Sequence, residues 1–250
     1  MADSTPSESA RRIAGFDKIE TTYCTLIKHT HMPSPTILRA LAPSGVLRVG
    51  INLSNFLLVS SRDEQGKPFG VAPDMAALLA AELGVPLQLN LYKNPGLLAD
   101  AAIADEWDVG LIGAEPQRAR TIAFTQPYAE IYATYLVPDG SPLSRISDVD
   151  APGHRIAVSA RAAYDLWLTD NLAHATLVRT DEPGLQQSLE LFQSGGFDAL
   201  AGLRPWLLTQ AEEQLPGATV LDGHFTTVQQ SIGIPRQRGE CAQPLVIRRS

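Results

Sequence analysis

Short apolar runs alternate with helical patterns from about residue 45 onward, and this alternation constrains the fold more than any other feature. Strands separated by helices pair in parallel, because each helix carries the chain back across the sheet. The first series therefore predicts a three-layer α/β lobe. Its predicted elements are strands over 46–52, 87–92 and 108–113 and helices over 73–84 and 96–106, the first helix with Met75, Leu78, Leu79 and Leu83 at helical spacing.

The same alternation starts again after the β-prone segment 131–138, and a second extended segment, 226–235, follows it. A lobe flanked by two extended segments is typical of a hinged protein. We therefore predict an α/β fold of two lobes, each a three-layer α/β/α sandwich, joined by two hinge strands. The predicted elements of the second series are strands over 154–160, 175–180, 198–203 and 218–222 and helices over 164–173, 184–196 and 204–215.

The predicted domain boundaries follow from these two series. Residues 1–44 form an N-terminal extension, disordered in part; residues 45–137 plus 227–250 form lobe 1, and residues 138–226 form lobe 2. The first 31 residues are polar and lack the apolar run of a secretory signal peptide.

The two series share a local motif at the start of their third strand. WDV (107–109) opens one strand and FDA (197–199) opens the other, and each strand is followed by an arginine, Arg118 or Arg204. Ligands of open parallel sheets bind outside the carboxyl ends of the strands. If the lobes face each other, both arginines are predicted to border one cleft. The alternative is that the motif is only a helix-to-strand turn and that the arginines, Arg204 above all, are solvated.

Composition excludes several classes of function. The net charge of −7 without a basic run argues against binding to nucleic acid or an anionic membrane. Two cysteines and five scattered histidines give no disulfide framework and no metal-binding spacing, so we predict no metal and no cofactor. The chain has no P-loop, no dinucleotide fingerprint and no nucleophile elbow.

Two quoted blocks carry a resemblance to a known family. GKPFGVAPDMAALLAAELG (66–84) and WDVGLIGAEPQRARTIAFTQPY (107–128) resemble family 3 solute-binding proteins, the amino-acid receptors of ABC transporters, within a series of blocks over 46–235. The resemblance implies a type 2 periplasmic-binding-protein fold that closes on a small carboxylate or amino acid by hinge motion. It also implies a periplasmic monomer that serves an ABC transporter permease and is not an enzyme. Because no signal peptide is present as written, a cytoplasmic form is the alternative.

The resemblance also indicates which residues bind the ligand. In such receptors the arginine of the turn after the third strand holds the ligand carboxylate, and Arg118 occupies that position, whereas Arg120 is predicted to be solvated. Arginine suits this role because its planar guanidinium can donate two parallel hydrogen bonds to a carboxylate. The predicted ligand-binding residues are Asn52, Asn55, Phe56, Gly113, Glu115 and Arg118 in lobe 1 and Arg161, Ala162 and Arg204 in lobe 2.

Departures from the family pattern point toward an anionic or polar ligand. The acidic residue that receives the ligand's α-ammonium in the family falls at or near Leu203, and arginines at 161 and 204 add positive charge. Leaving a buried ammonium unpaired costs several kcal/mol. We therefore expect a small anionic or polar solute, held by Arg118 together with Arg161 or Arg204.

A second hypothesis makes the protein a lyase on the same fold. The implied fold also resembles that of cyclohexadienyl dehydratases, in which a cleft carboxylic acid promotes elimination from prephenate or arogenate. Glu115 is then the candidate general acid.

A further expectation concerns the tail after Pro235, which is too short for the final helix of such receptors. We therefore expect that lobe 1 lacks part of the helical layer over its core.

Overall fold

The computed structural model describes residues 34–238. The predictions for the start of the extension and for the tail beyond residue 238 lie outside the described residues. Within the predicted extension, residues Pro35–Leu41 form a helix, α1, which the sequence analysis missed. The Ser34 hydroxyl caps it by accepting a hydrogen bond from the amide of Ile37 at 3.3 Å, and Leu41 is buried against the first lobe.

The first lobe is built on three parallel strands: β1 (Leu47–Asn52), β4 (Leu87–Tyr92) and β5 (Val109–Ala114). β1 lies in the middle and pairs with β4 on one side and β5 on the other. A small hairpin of β2 (Ser61–Arg62) and β3 (Pro68–Phe69) follows β1. The predicted parallel arrangement is therefore confirmed, and the strand over 87–92 has the predicted bounds.

Two helices pack on the first sheet, and each belongs to a separate group of core residues. α2 (Val71–Leu83) contributes to one group, whereas α3 (Pro95–Ile103) packs with Trp107 in the other. The buried stripe of α2 differs from the predicted one, since it consists mainly of small residues and Leu78 is 43% exposed. Alanines let the helix approach the sheet closely, and the longer side chains then lie at its margins. The buried residues of α2 are Ala72, Pro73, Ala76, Ala80 and Leu83.

The second lobe repeats this plan. Its strands β8 (Arg155–Val158), β9 (Thr176–Arg179) and β10 (Ala199–Leu203) are parallel, with β8 in the middle. Its core is a single large apolar cluster that includes Leu168, Leu189 and Leu200. The remaining elements of this lobe are helices α4 (Ile146–Val149), α5 (Ala163–Asn171), α6 (Leu185–Gln193) and α7 (Arg204–Glu213) and the strand β11 (Thr219–Val220).

Two long strands connect the lobes and join their sheets. β7 (Ala129–Val137) and β12 (Thr226–Pro235) pair with each other antiparallel, and β12 also pairs with β5 and with the short strand β6 (Ile122–Phe124). β7 pairs in turn with β10. The result is one continuous sheet with the order β4-β1-β5-β12-β7-β10-β8-β9. In each lobe the second strand along the chain thus lies at the sheet edge, followed by the first strand, the third strand and one connecting strand.

In each lobe, the aspartate of the shared sequence motif joins the start of the third strand to the first strand by two hydrogen bonds. The Asp108 amide donates to the Arg48 carbonyl at 2.8 Å, and the Arg48 amide donates to the Asp108 carboxylate at 2.8 Å. Asp198 and Arg155 repeat the arrangement in the second lobe at 2.9 and 2.8 Å. The WDV and FDA motifs therefore set the start of equivalent strands.

No helix within residues 34–238 has the length and apolar character needed to cross a membrane.

Candidate functional site

A cavity of about 50 Å³ lies between the lobes, at the carboxyl ends of their strands. In the first lobe it begins where β1 and β5 end and where α3 starts; in the second it meets the ends of β8 and β10 and the starts of α5 and α6. The lining residues are Asn52, Ser54, Asn55, Asn94, Pro95, Gly113 and Arg118 from the first lobe, Ser159, Ala162, Ala163, Tyr164, Gly184, Leu185 and Leu203 from the second, and Val228 and Gln230 from β12.

Arg118 forms a buried part of the cavity wall and links the two lobes. It begins a 3-10 turn after β5, and only 6% of its surface is exposed. Its Nη1 donates to the Gly113 carbonyl at 2.8 Å, and its Nη2 donates to the Arg161 carbonyl of the second lobe at 3.0 Å. The same guanidinium thus lines the cavity and donates a hydrogen bond to the other lobe.

Burial dominates the electrostatics of Arg118. It lowers the pKa of Arg118 to about 10; the Glu115 carboxylate acts in the opposite direction, and the positive charge of Arg161 adds to the lowering. The guanidinium therefore remains charged at neutral pH.

Glu115 lies under the turn that carries Arg118. Its carboxylate accepts hydrogen bonds from the amides of Gln117 at 2.8 Å and Arg118 at 2.5 Å, and it lies 3.7 Å from the Arg118 Nε. Glu115 is not among the lining residues of the cavity. The structure thus gives this carboxylate the role of holding the turn in place.

Arg161 closes the edge of the cleft from the second lobe. Its Nη1 and Nη2 donate to the two oxygens of Asp100 on α3 at 2.9 and 2.7 Å, and Nη2 also lies 3.3 Å from the Gly96 carbonyl. Its backbone adopts a positive φ of 60°, and its amide donates to Asp165 at 2.7 Å. Hydrogen bonding to Asp100 raises the pKa of Arg161. We call the pair Arg161 and Asp100 the latch.

Two further predicted ligand-binding residues, Arg204 and Phe56, lie outside the cavity lining. The Nη1 of Arg204 donates to the carbonyls of Leu221 at 2.6 Å and Gly223 at 3.2 Å, so this guanidinium fixes the loop after β11. Phe56 is 37% exposed and, like Arg204, is not among the lining residues of the cavity.

A family model for bacterial extracellular solute-binding proteins, family 3, matches residues 47–200. The chain belongs to this family.

Solved structures of similar fold include an arginine-bound mutant of ArgBP from T. maritima, with a TM-score of 0.65 and 19% identity over 83% of this chain and 96% of that one. An amino acid ABC transporter substrate-binding protein from Streptococcus pneumoniae, bound to L-arginine, has a TM-score of 0.62 and 19% identity over 83% and 90%. An ancestral amino-acid-binding protein, a precursor of cyclohexadienyl dehydratase, has a TM-score of 0.64 and 22% identity over 83% and 88%.

These similarities confirm the two-lobed type 2 periplasmic-binding-protein fold predicted from the sequence. A comparison with curated protein sequences gives no significant match.

Within this family fold, the cavity brings together some of the predicted residues and omits others. Asn52, Asn55, Gly113, Arg118 and Ala162 line it. Phe56, Glu115, Arg161 and Arg204 are not among the lining residues. The glutamate and the two arginines contact protein groups instead. Arg120 is exposed, as expected.

Sequence reasoning also missed several lining residues that follow strand ends. Asn94 follows β4 and caps α3, with its Oδ1 accepting from the Leu97 amide at 2.9 Å. Ser159 follows β8, and its hydroxyl accepts from the Gly184 amide at 2.9 Å. The rule that ligands bind at the carboxyl ends of parallel strands would have found both, had it been applied to every strand and not only to those followed by arginines.

Proposed function

We propose that the protein captures a small carboxylate-bearing, amino-acid-like solute in the cavity between its lobes and delivers it to an ABC transporter. The observation that carries this proposal is the buried guanidinium of Arg118, the only charged group that residues 34–238 contribute to the cavity lining. A charged group held in a cavity wall at low dielectric favours a ligand of opposite charge. The family supports the transport role and a location outside the cytoplasm.

The connecting strands support capture by movement of the lobes. β7 and β12 run between the two halves of the sheet, and the cavity includes Val228 and Gln230 of β12. A hinge of this type lets the ligand enter the open cleft and be enclosed when the lobes meet. We expect the protein to act as a monomer, since the described cavity is built from one chain.

The carboxylate role of Arg118 can be tested by calorimetry and thermal shift. The panel consists of amino acids, hydroxy acids, oxo acids and dicarboxylates. A ligand present at 100 times its Kd stabilises the native state by about 2.7 kcal/mol and so raises the Tm. Arg118→Lys keeps the charge but loses the planar geometry, and we expect about tenfold weaker binding or more.

Two controls make this experiment decisive. Arg120→Lys alters an exposed arginine two residues away and should leave affinity unchanged. A melting curve of the ligand-free Arg118→Lys variant shows whether it is folded. Unchanged affinity in a folded Arg118→Lys variant would refute the assignment.

The proposed function is the binding of a solute without catalysis of a reaction. The lyase hypothesis relies on Glu115, whose oxygens are engaged by the amides of Gln117 and Arg118. We therefore expect no phenylpyruvate when the protein is incubated with prephenate. Turnover that disappears in Glu115→Gln would instead establish the lyase.

A further inference from the structure

We infer that the ligand is a small carboxylate that carries an oxygen substituent, a hydroxyl or an oxo group, in the place where an amino acid carries its ammonium group. This inference rests on the proposed function, because it refines the ligand of the same cavity. An ammonium needs acceptors, whereas a hydroxyl or carbonyl oxygen can accept hydrogen bonds from donors. The balance of donors and acceptors in the lining therefore decides between the two classes.

Two asparagines of the lining, Asn52 and Asn94, offer donors, whereas the buried Oδ1 of the third, Asn55, accepts no hydrogen bond from the described residues. The Oδ1 of Asn52 accepts from the amide and hydroxyl of Ser54 at 3.1 and 2.8 Å, and the Oδ1 of Asn94 accepts from the Leu97 amide at 2.9 Å. Because a backbone amide donates to each oxygen, the Nδ2 groups are the ends left for a ligand. Asn94 is only 6% exposed, so its donor is held in a fixed position.

Three helices begin at the same cavity. Pro95 starts α3, Ala163 starts α5 and Leu185 starts α6, and all three residues are lining residues. Neither α5 nor α6 has a side-chain cap at its first turn. Amino ends of helices carry partial positive charge and exposed amides, so they favour anions and oxygen acceptors over cations. Together with Arg118, they make the cavity electropositive.

The carboxylates nearest the cavity are already paired with protein groups. Glu115 holds the turn of Arg118, Asp100 belongs to the latch, and Asp165 accepts from the Arg161 amide and from the Nε of Arg179 at 2.7 and 2.9 Å. Asp181 and Glu182, shortly before Gly184, are exposed. None of the lining residues, all of which lie in the described part of the chain, is acidic. An enclosed ammonium would therefore lack a charged partner.

The volume of the cavity bears on the size of the ligand. A cavity of about 50 Å³ corresponds to the space of roughly three to five water molecules. A small acid of the size of lactate or pyruvate fits this space.

The test compares three ligands that share one carbon skeleton. L-lactate, pyruvate and L-alanine differ at the second carbon, which carries a hydroxyl, an oxo group or an ammonium group. We expect calorimetry on the wild-type protein to show that lactate or pyruvate binds at least about tenfold more tightly than L-alanine. L-arginine, found in related structures, is included as a larger cationic competitor.

Asn94→Asp adds an acceptor at the cavity with minimal change in shape. Aspartate caps a helix as well as asparagine does, so α3 should remain intact. We expect Asn94→Asp to weaken binding of the oxygen-substituted acid and to strengthen binding of L-alanine. Gln88→Glu, an equally conservative change on the exposed part of β4, controls for the added negative charge and should leave the preference unchanged.

The outcomes separate this inference from the proposed function. Tighter binding of L-alanine or L-arginine than of either oxygen-substituted acid, lost in Arg118→Lys, would overturn the inference and leave the proposed function standing. A lack of binding by every carboxylate and amino acid in the panel to the folded protein would overturn both. Binding of lactate or pyruvate that is unaffected by Arg118→Lys would contradict the proposed function while leaving the ligand class in place.

Discussion

The latch offers a quantitative prediction about closure. Asp100→Asn removes the charge that receives two parallel hydrogen bonds, of 2.9 and 2.7 Å, from Arg161. The two side chains are 46% and 58% exposed, so solvent screens the pair and its contribution is that of a surface ion pair. Such pairs contribute about 0.2–1 kcal/mol, and the two-pronged geometry favours the upper end of that range. The closed form should therefore lose about 0.5–1 kcal/mol, a two- to fivefold shift toward the open form.

Stopped-flow measurement of ligand release detects this shift directly. Because the latch joins the lobes beside the cavity, we expect Asp100→Asn to release ligand about two to five times faster at low salt. The difference from wild type should shrink at 1 M salt, where charges are screened within about 3 Å. Asp170→Asn, which neutralises an exposed residue of α5, is the matched control. Release rates equal to wild type at low salt would show that the latch does not hold the closed form.

Three further predictions concern packing near the cleft and in the core. Gly96→Ala would place a methyl 2.8 Å from the Arg161 guanidinium carbon, so the latch must shift and stopped-flow should show faster ligand release. An unchanged release rate would argue against this contact. Gly113→Ala would place a methyl 3.0 Å from Val228 in the cavity wall, and calorimetry should show weaker binding; an unchanged Kd would argue against this wall. Leu168→Ala empties a fully buried position, and denaturant unfolding should show a loss of about 2–5 kcal/mol; a loss below about 1 kcal/mol would contradict the assigned core.

Local pattern was enough to predict the order and type of most elements. Strands and helices of an α/β lobe alternate because each has its own apolar period, and this period is visible without knowledge of the partner element. The extended segment 226–235 has its predicted bounds for this reason. The buried stripe of α2 was less predictable, because alanines such as Ala76 carry little hydrophobic signal and their burial depends on how closely the helix approaches the sheet.

The site was harder to predict because its contacts join residues far apart in the chain. The position of Arg118 after β5 could be read from the sequence, but its hydrogen bond to the Arg161 carbonyl depends on the meeting of two lobes. The same holds for the pairing of Arg161 with Asp100, which is 61 residues away. A sequence shows that an arginine is present near a cleft, but only the structure shows whether a protein carboxylate already occupies it.

The continuous sheet has a mechanical consequence. β12 is hydrogen-bonded to β5 of one lobe and to β7, which is bonded in turn to β10 of the other. Rotation of the lobes can therefore be absorbed as a change in sheet twist along two strands that stay paired, with no ladder broken at a flexible joint. The connecting strands then act as a torsion spring, and their stiffness sets how much of the ligand's binding energy is used to bend the protein.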